Sequence, residues 1–365
     1  MSSFPIHQFQ ISFNSTTINC STNSSAGVTE DCSLFDFIVY TVASGLFCIL
    51  GFLGNVISFS VLWRDGAKSK SATSFLLQAL AVADCLVLAT AFPLYSLTPA
   101  YLYGGWLESY FELYPKIMPY IWACYNMGLT GTVFLTVLVS FNRYIAVCKP
   151  FKSAEICSLE QARKQVAYII IIAVLYNIPR FFEFDLRDVC SEGKLVTTFE
   201  MSSLAQNKLY GILYSNLLYF LIMLGGPLAS LTFLNVNLIK ALKKRAQKRN
   251  EMGKSSYQQD MTLVLVVVIC VFIACQTPTF VDRILWTILG SPSCGDQLYY
   301  YTAIGDLLAI FNSSVNFLIY VITSRKFRQL LVSPPCTNNP DYIRANTAPS
   351  RADMGMVQVN NHAKH

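Results

Sequence analysis

Seven long apolar stretches, separated by short polar segments, dominate the pattern of the chain. Each holds 18 or more mostly apolar residues, close to the roughly 20 that an α-helix needs to cross a bilayer. Lipid offers no partners to backbone N–H and C=O groups, and the stretches do not alternate in polarity as membrane strands do, so helices are predicted. The predicted spans are residues 35–62, 73–101, 114–147, 165–182, 210–242, 261–289 and 299–323.

Polar segments at both ends of the chain flank one predicted membrane domain. Residues 1–34 form a polar tail, residues 35–323 the helical domain, residues 324–332 a short helix and residues 333–365 a tail expected to be disordered. The short helix mixes basic and apolar residues, which favours a position on the membrane surface. The predicted fold class is an all-α membrane protein: a seven-transmembrane helix bundle with a short amphipathic helix on the inner face.

Composition and charge placement support this topology. Only 13% of the residues are charged, against about 25% in a typical soluble domain. The net charge of +6 comes largely from Lys and Arg that follow the first, third, fifth and seventh stretches. Basic loops stay on the cytoplasmic side, so we expect the N-terminus outside and the C-terminus inside the plasma membrane. Anionic lipid, rather than nucleic acid, is then the expected partner of the basic residues.

Both predicted faces of the membrane carry candidate modification sites. Asn14, Asn19 and Asn23 begin glycosylation motifs in the N-terminal tail. On the inner side, Cys336 follows the short helix and is a candidate for palmitoylation. An oxidising compartment favours disulfides, and four outer cysteines allow three pairings that the sequence leaves open. These four are Cys20, Cys32, Cys190 and Cys294.

Polar residues recur inside the apolar stretches, where they are costly and usually functional. In chain order they form the motifs Gly54-Asn55, Leu80-Ala81-Val82-Ala83-Asp84, Asn142-Arg143-Tyr144, Pro227, Cys275-Gln276-Thr277-Pro278 and Asn316-Phe317-Leu318-Ile319-Tyr320. This series resembles the rhodopsin-like G-protein-coupled receptors over residues 35–331. The sixth-helix motif, the run 175–183 and the run 311–317 also resemble invertebrate FMRFamide-type neuropeptide receptors.

The resemblance implies a receptor and not an enzyme. We expect an extracellular neuropeptide, of the amidated RFamide type, to promote nucleotide exchange on a heterotrimeric G protein. Tyr125 stands where amine receptors have Asp, and Ile310 stands where opsins have their retinal Lys. The alternatives are a receptor for an unrelated peptide or small ligand, a transporter, or an intramembrane aspartyl protease that would pair Asp84 with Asp306.

The expected ligand pocket lies between the outer ends of the helices. A carboxylate there could bind the guanidinium of an Arg-Phe-amide peptide, while aromatic residues hold its ring. Asp306 is the first candidate, although an internal pair with Arg180 or Arg283 is an open alternative. The predicted ligand-binding residues are Asp306, Asp282, Glu183, Tyr95, Tyr125, Phe181, Phe182 and Trp286.

The resemblance also implies an ion site near the middle of the bundle. Asp84, Thr132, Asn312 and Asn316 are expected to converge there, with Asn55 and Ser313 beside them. Their oxygens suit a structural sodium ion, and the alternative is a protonated Asp84 in a network of water. No other cofactor is expected.

The resemblance also implies an activation switch at the inner end of the bundle. Three residues depart from the family pattern. Asn142 replaces the acidic residue that precedes the arginine, Gln276 replaces a Trp, and Phe317 replaces a Pro. A neutral hydrogen bond is weaker than a charge-assisted one, so raised basal activity is expected. The predicted switch residues are Asn142, Arg143, Tyr144, Phe272, Gln276, Pro278, Asn316 and Tyr320.

Overall fold

The computed structural model describes residues 32–69, 71–191, 194–250, 258–290 and 292–332, and most of them are helical. Five helices in this part of the chain are long and apolar enough to span a membrane. They are α1 (Ser33–Asp65), α2 (Ala72–Gly104), α3 (Glu112–Cys148), α4 (Leu159–Phe182) and α5 (Lys208–Lys244). All five coincide with predicted spans, so the chain is a multi-pass membrane protein.

Two further helices complete the predicted set of seven. Helix α6 (Gln258–Leu289) covers the sixth predicted stretch. Helix α7 consists of two segments, Gln297–Ser314 and Asn316–Thr323, which meet at a bend of 50°. The short inner helix α8 (Arg325–Val332) follows directly. Below, "outer" and "inner" denote the ends that the sequence predicts to be extracellular and cytoplasmic.

Short elements connect the long helices. Pro150–Ile156 forms a helix between α3 and α4, and Ser203–Gln206 forms one turn before α5. The α4–α5 connection also contains an antiparallel hairpin of β1 (Phe184–Ser191) and β2 (Lys194–Met201). Its Phe184 and Phe199 rings contact one another with centroids 5.6 Å apart. This hairpin adds an element that the apolar pattern did not predict, because its strands are short and lie in a polar loop.

Serine caps define where two of the helices begin. The hydroxyl of Ser71 accepts a hydrogen bond from the Ser74 N–H before α2, and Ser158 accepts one from Gln161 before α4. Each cap satisfies a backbone donor that the first turn leaves without a partner. The caps therefore separate α2 and α4 from the preceding basic loops.

The buried core divides into an outer, aromatic part and an inner, mainly aliphatic part. Tyr95, Trp122 and Tyr125 belong to the outer cluster, whereas Leu80 and Val139 belong to the inner one. Large apolar side chains on the outside of the bundle are exposed, as expected where lipid replaces water. The outer half thus offers rings and hydroxyls, and the inner half provides close packing.

Helices α1 and α7 approach closely because α1 has glycine at the contact. A methyl group added at Gly51 would lie 2.6 Å from Ser314 Cα, and one added at Gly54 would lie 2.8 Å from Phe317 Cβ. The side-chain amide of Asn55 donates to the Ser313 carbonyl at 2.9 Å. Small residues allow this approach, and the hydrogen bond fixes the contact.

The bend in α7 occurs without proline, since Phe317 stands at the family's proline position. The break falls at Val315. Two polar side chains donate hydrogen bonds to carbonyl oxygens beside the break. The Asn55 amide donates to the Ser313 oxygen, and the Ser314 hydroxyl donates to Phe311 O at 2.8 Å. Side chains inserted into the helical hydrogen-bond ladder are a known cause of kinks.

A disulfide joins Cys32, at the start of α1, to Cys294, just before α7. This selects one pairing among those the sequence left open. Cys190 lies in β1, and its side chain is not described. The other predicted modification sites, Asn14, Asn19, Asn23, Cys20 and Cys336, lie outside the described residues.

We expect Gly51→Ala to destabilise the protein, because the added methyl group would overlap backbone atoms of α7. Overpacking of this kind costs about 1–3 kcal/mol, so the purified protein should unfold several degrees lower in a thermal melt. Gly211→Ala is the matched control, since nothing lies within 4 Å of its added methyl group. Equal melting temperatures for the two variants would contradict the proposed close packing.

Candidate functional site

A narrow cavity lies among the outer halves of α2, α3, α5, α6 and α7. Its volume is about 30 Å³, far below the roughly 300–1,000 Å³ of pockets that hold drug-sized ligands. The lining combines aromatic rings with amide, hydroxyl and carboxyl groups. It consists of Tyr95, Trp122, Tyr125, Asn126, Leu129, Val133, Tyr219, Met223, Gln276, Thr279, Asp306 and Ala309. Three of the predicted ligand-binding residues, Tyr95, Tyr125 and Asp306, therefore come together here.

Asp306 places a buried carboxylate in this cavity, surrounded by tyrosines. The Tyr40 hydroxyl donates to Asp306 Oδ2 at 3.4 Å. The Tyr95 ring lies 6.1 Å from that of Tyr40 and 5.6 Å from that of Tyr125. The acidic group of α7 is thus bordered by rings from α1, α2 and α3.

Asp282 belongs to a separate contact between α6 and α7. Its Oδ1 accepts a hydrogen bond from the Thr302 hydroxyl at 2.5 Å, and Trp286 Nε1 donates to the same Thr302 oxygen at 3.0 Å. Asp282 and Trp286 do not line the cavity. The two residues are four positions, or about one helical turn, apart on α6. Through Thr302 they join the outer ends of α6 and α7.

Glu183 is the acceptor in a buried cluster at the outer end of α4. Arg180 Nη1 contacts its two oxygens at 2.9 and 3.2 Å, Trp122 Nε1 donates at 3.0 Å, and the Tyr210 hydroxyl donates at 2.8 Å. The Arg180 guanidinium also lies over the Tyr214 ring. The oxygens predicted to bind a ligand are therefore occupied by donors of α3, α4 and α5. Arg180, considered as a partner of Asp306, pairs with Glu183, and the side chain of Arg283, the other candidate, is not among those described.

Phe181 and Phe182 lie outside the cavity, unlike the sequence expectation. Phe182 is 63% exposed, and the Phe181 ring contacts that of Tyr120, which is itself exposed. Residues Ile178–Phe182 form a 3₁₀ turn, which has 3.0 rather than 3.6 residues per turn. Both rings lie in this turn at the outer end of α4 and do not line the cavity.

Other lining residues escaped the sequence reasoning, although some carried a signal. Asn126 is a polar residue four positions after Trp122, and its amide donates to the Trp122 carbonyl at 2.8 Å. Tyr219, Met223 and Thr279 are ordinary residues of apolar helices, and only the packing of α5 and α6 directs them inward. The polar Asn126 could have been found from its place in a spanning helix.

Asp84 lies at the centre of a buried polar cluster between α2, α3 and α7. The Thr132 hydroxyl donates to Oδ1 at 3.1 Å, and the Asn316 amide donates to Oδ2 at 2.7 Å. Asn312 is also buried. Within the described part of the chain, the buried oxygen Asn55 Oδ1 has no hydrogen-bond partner. Carboxylate, hydroxyl and amide oxygens with unused acceptor capacity fit a hard cation.

The inner ends of α3 and α7 carry the predicted switch residues. The Asn142 amide donates to its own helix at Leu138 O, 3.0 Å away. Among the residues described, no ion pair involves Arg143, and its buried Nε has no partner. Tyr144 is half-buried. Tyr320 is buried beside Phe327 of α8, with ring centroids 5.6 Å apart.

A line of α6 residues connects the cavity to the inner core. Gln276 lines the cavity, and Phe272, one turn further in, packs with Val133 of α3 and Leu231 of α5. Pro278 lies within the helix, where its ring removes a backbone hydrogen bond. The three residues place a proline, a polar side chain and a packed ring in succession along α6.

Comparison with known proteins matches these features to a receptor family. The family model "7 transmembrane receptor (rhodopsin family)" matches residues 54–320. The FMRFamide receptor of Drosophila melanogaster is 28% identical over 302 residues, which cover 81% of this chain and 54% of that protein. The chain thus spans about half the length of that relative.

Two further relatives extend the comparison to other peptide receptors. The FMRFamide peptide receptor frpr-18 of Caenorhabditis elegans is 28% identical over 290 residues, covering 78% of this chain and 66% of that protein. The thyrotropin-releasing hormone receptor of Mus musculus is 25% identical over 307 residues, covering 78% and 75% respectively. The similarities therefore include receptors named for different peptides.

Glu183→Gln should destabilise the protein strongly, because it leaves the Arg180 cation buried without its counter-ion. Breaking a buried pair costs about 3–5 kcal/mol. Glu200→Gln is the control: it removes the same charge from a pair with Arg187 whose side chains are 68% and 39% exposed, worth about 0–1 kcal/mol. Thermal melts of the two purified variants should separate clearly, and equal losses would contradict the anchoring role of Glu183.

Proposed function

This chain belongs to the rhodopsin family of seven-transmembrane receptors, and we propose that an extracellular neuropeptide activates it. Peptide binding at the outer cavity would promote nucleotide exchange on a heterotrimeric G protein at the inner end. The observation that carries the proposal is the Asp306 carboxylate, which lies among aromatic rings at the outer end of the bundle. The similarity to FMRFamide receptors supports a peptide as the ligand.

An amidated peptide that ends in Arg-Phe suits the chemistry of this cavity. Its guanidinium would replace the neutral Tyr40 donor on Asp306 with a stronger, charge-assisted hydrogen bond. Its phenyl ring would contact Tyr95 and Tyr125, which prefer edge or offset contacts with another ring. Because the cavity has a volume of only about 30 Å³, entry of the ring requires its walls to separate. That movement would couple binding to Gln276 on α6.

Nucleotide exchange by purified Gα tests the function directly. The full chain in lipid nanodiscs is combined with individual G-protein heterotrimers and a panel of Arg-Phe-amide peptides, their free acids and unrelated amidated peptides. We expect the Arg-Phe-amides to accelerate exchange. A response to an unrelated peptide alone would favour the alternative that the thyrotropin-releasing hormone receptor similarity supports. No response with any peptide and any Gα would contradict the receptor function itself.

Asp306→Asn should lower the potency of an active Arg-Phe-amide by about 10- to 100-fold. Hydrogen bonds to charged groups contribute about 1.5–3 kcal/mol, and each 1.4 kcal/mol is a factor of ten. Replacing the peptide's Arg by citrulline should cause a similar loss in the unaltered receptor and little further loss in the variant. Asp188→Asn, which removes an exposed carboxylate of the hairpin, is the control. Unchanged potency for Asp306→Asn would exclude this ion pair.

The geometry of the bundle does not support the two alternative classes, an intramembrane aspartyl protease and a transporter. Asp84 contacts Asn316, whereas Asp306 precedes Asn316 by ten residues of α7, about 15 Å along a helix. Two aspartates at such different depths cannot activate one water, as a protease requires. Among the described residues, apolar side chains pack around Phe272 below the cavity, where a transporter would need a polar path.

Asn142→Asp should lower basal nucleotide exchange, because a carboxylate next to Arg143 would hold the guanidinium in the resting arrangement. Asn142 bonds to Leu138 O, so the arginine lacks a charge-assisted restraint from its neighbour. Basal exchange of the two purified proteins, compared without peptide, measures the effect. Asn235→Asp, which introduces a carboxylate on α5 at another buried asparagine, controls for charge alone. Identical basal rates for Asn142→Asp and the native chain would contradict the model.

The Asp84 cluster supports a sodium site in the resting receptor. Asp84, Thr132, Asn312, Ser313 and Asn316 would hold the ion, which would supply the positive charge that a buried carboxylate requires. We expect sodium to weaken agonist binding to the native chain but not to Asp84→Asn. Radioligand binding in sodium against N-methyl-D-glucamine at constant ionic strength measures this. Equal agonist affinity of the native chain in both salts would remove the case for sodium.

A further inference from the structure

A groove between α3 and α5 opens toward the lipid in the inner half of the bundle. Its volume is about 360 Å³, much larger than that of the outer cavity. Aromatic and aliphatic side chains form most of its surface, and Ser230 contributes a hydroxyl. The residues that shape it most directly are Phe134, Val137, Phe141, Ser230, Phe233 and Leu234. The ligand cavity uses none of them, so this groove is a separate site.

The depth of the groove matches the acyl chains of the inner leaflet. Thr132 of α3 contacts Asp84 near the middle of the bundle. Phe134 and Phe141 follow it by two and nine residues, about 3 and 14 Å along the helix. Half of a bilayer's hydrocarbon core is about 15 Å thick. The groove therefore extends through the depth at which inner-leaflet chains lie.

The groove faces the membrane rather than another helix. Phe233 is 62% exposed, and Phe141 and Ser230 are also exposed. Leu234, one residue further along α5, is buried and forms part of the floor. A recess with an exposed rim and a buried floor accommodates a flexible chain more deeply than the convex surface of a single helix does.

Positive charge follows the groove on its inner side. Lys240 lies seven residues after Phe233, two helical turns along the same face of α5, and Lys243 and Lys244 continue toward the inner end. All three side chains are exposed. Residues 233–244 contain no Asp or Glu. The apolar recess is therefore continuous with a rim that attracts a negatively charged headgroup.

We propose that this groove binds one acyl chain of an anionic glycerophospholipid from the inner leaflet. Lys240, Lys243 and Lys244 hold the headgroup, and the chain passes between Phe141 and Phe233 toward Ser230. A zwitterionic lipid would fill the same recess but would present its cationic group to the lysines. A sterol would use the recess without needing the charged rim. The combination of recess and charge thus selects the anionic lipid.

Photolabelling of the full chain tests the proposal. Nanodiscs of neutral lipid receive a trace of phosphatidylserine or phosphatidylcholine with a diazirine in the acyl chain, and labelled segments are mapped by proteolysis and mass spectrometry. We expect phosphatidylserine to label residues 134–141 and 230–234 about fivefold or more above phosphatidylcholine, the effect of about one surface lysine. Equal labelling by the two lipids would overturn the proposal.

Matched variants separate the recess from the charge. Ser230→Phe fills the groove and should reduce labelling several-fold, whereas Ser60→Phe makes the same change at an exposed serine on α1 and should not. Lys240→Gln with Lys243→Gln should lower phosphatidylserine labelling toward the phosphatidylcholine level, with Lys244 retaining part of the preference. Lys116→Gln with Lys208→Gln, which removes two exposed lysines at the outer end of the bundle, should have no effect.

Two outcomes would assign the groove differently. If Ser230→Phe labels as strongly as Ser60→Phe, the label reports general contact with the bilayer and no bound chain. If unlabelled cholesterol displaces the probe while unlabelled phosphatidylserine does not, the occupant is a sterol and the proposal fails. The comparison of the two labelled lipids on the native chain does not depend on how any variant folds.

Discussion

The arrangement of this bundle depends on one constraint: a polar group surrounded by lipid-facing helices must find its partner inside the protein. Asp84 joins α2 to α3 and α7 through Thr132 and Asn316. Asn55 joins α1 to the Ser313 carbonyl of α7. Lipid tails are as apolar as the helix surfaces, so apolar contact alone gives helices little reason to associate in a fixed register. The polar contacts supply that register.

The same constraint makes two carboxylates in the outer half of the molecule chemically different. At the outer end, Glu183 uses its oxygens to hold Arg180, Trp122 and Tyr210, and this cluster orders the start of the hairpin. Asp306, by contrast, accepts a long bond of 3.4 Å from a neutral Tyr40 hydroxyl. Asp306 lines the cavity, where a ligand can reach it, whereas a ligand could bind Glu183 only by breaking its buried pair with Arg180. That difference is the reason to favour Asp306 over Glu183 as the ligand contact.

Much of the functional layout could be predicted from polar residues in apolar helices. Asp84, Thr132 and Asn316 do lie together, and Tyr95, Tyr125 and Asp306 do line one cavity. Phe181 and Phe182 were assigned because aromatic residues concentrate at the outer ends of the helices, but they lie in the 3₁₀ turn at the end of α4, outside the cavity. Glu183 was assigned by charge, but charge alone does not reveal that a nearby Arg180 folds back onto it. Local geometry decided both cases.

The sequence by itself determined the seven spans, the family and the identities of most polar residues within the membrane. It could do so because about 20 apolar residues, or a charge inside such a run, have few structural solutions in lipid. The tertiary structure decided the Cys32–Cys294 pairing, the bend of α7 without a proline, and the groove between α3 and α5. Each of these depends on distances between residues far apart in the chain. The periodicity of a single helix contains no information about such distances.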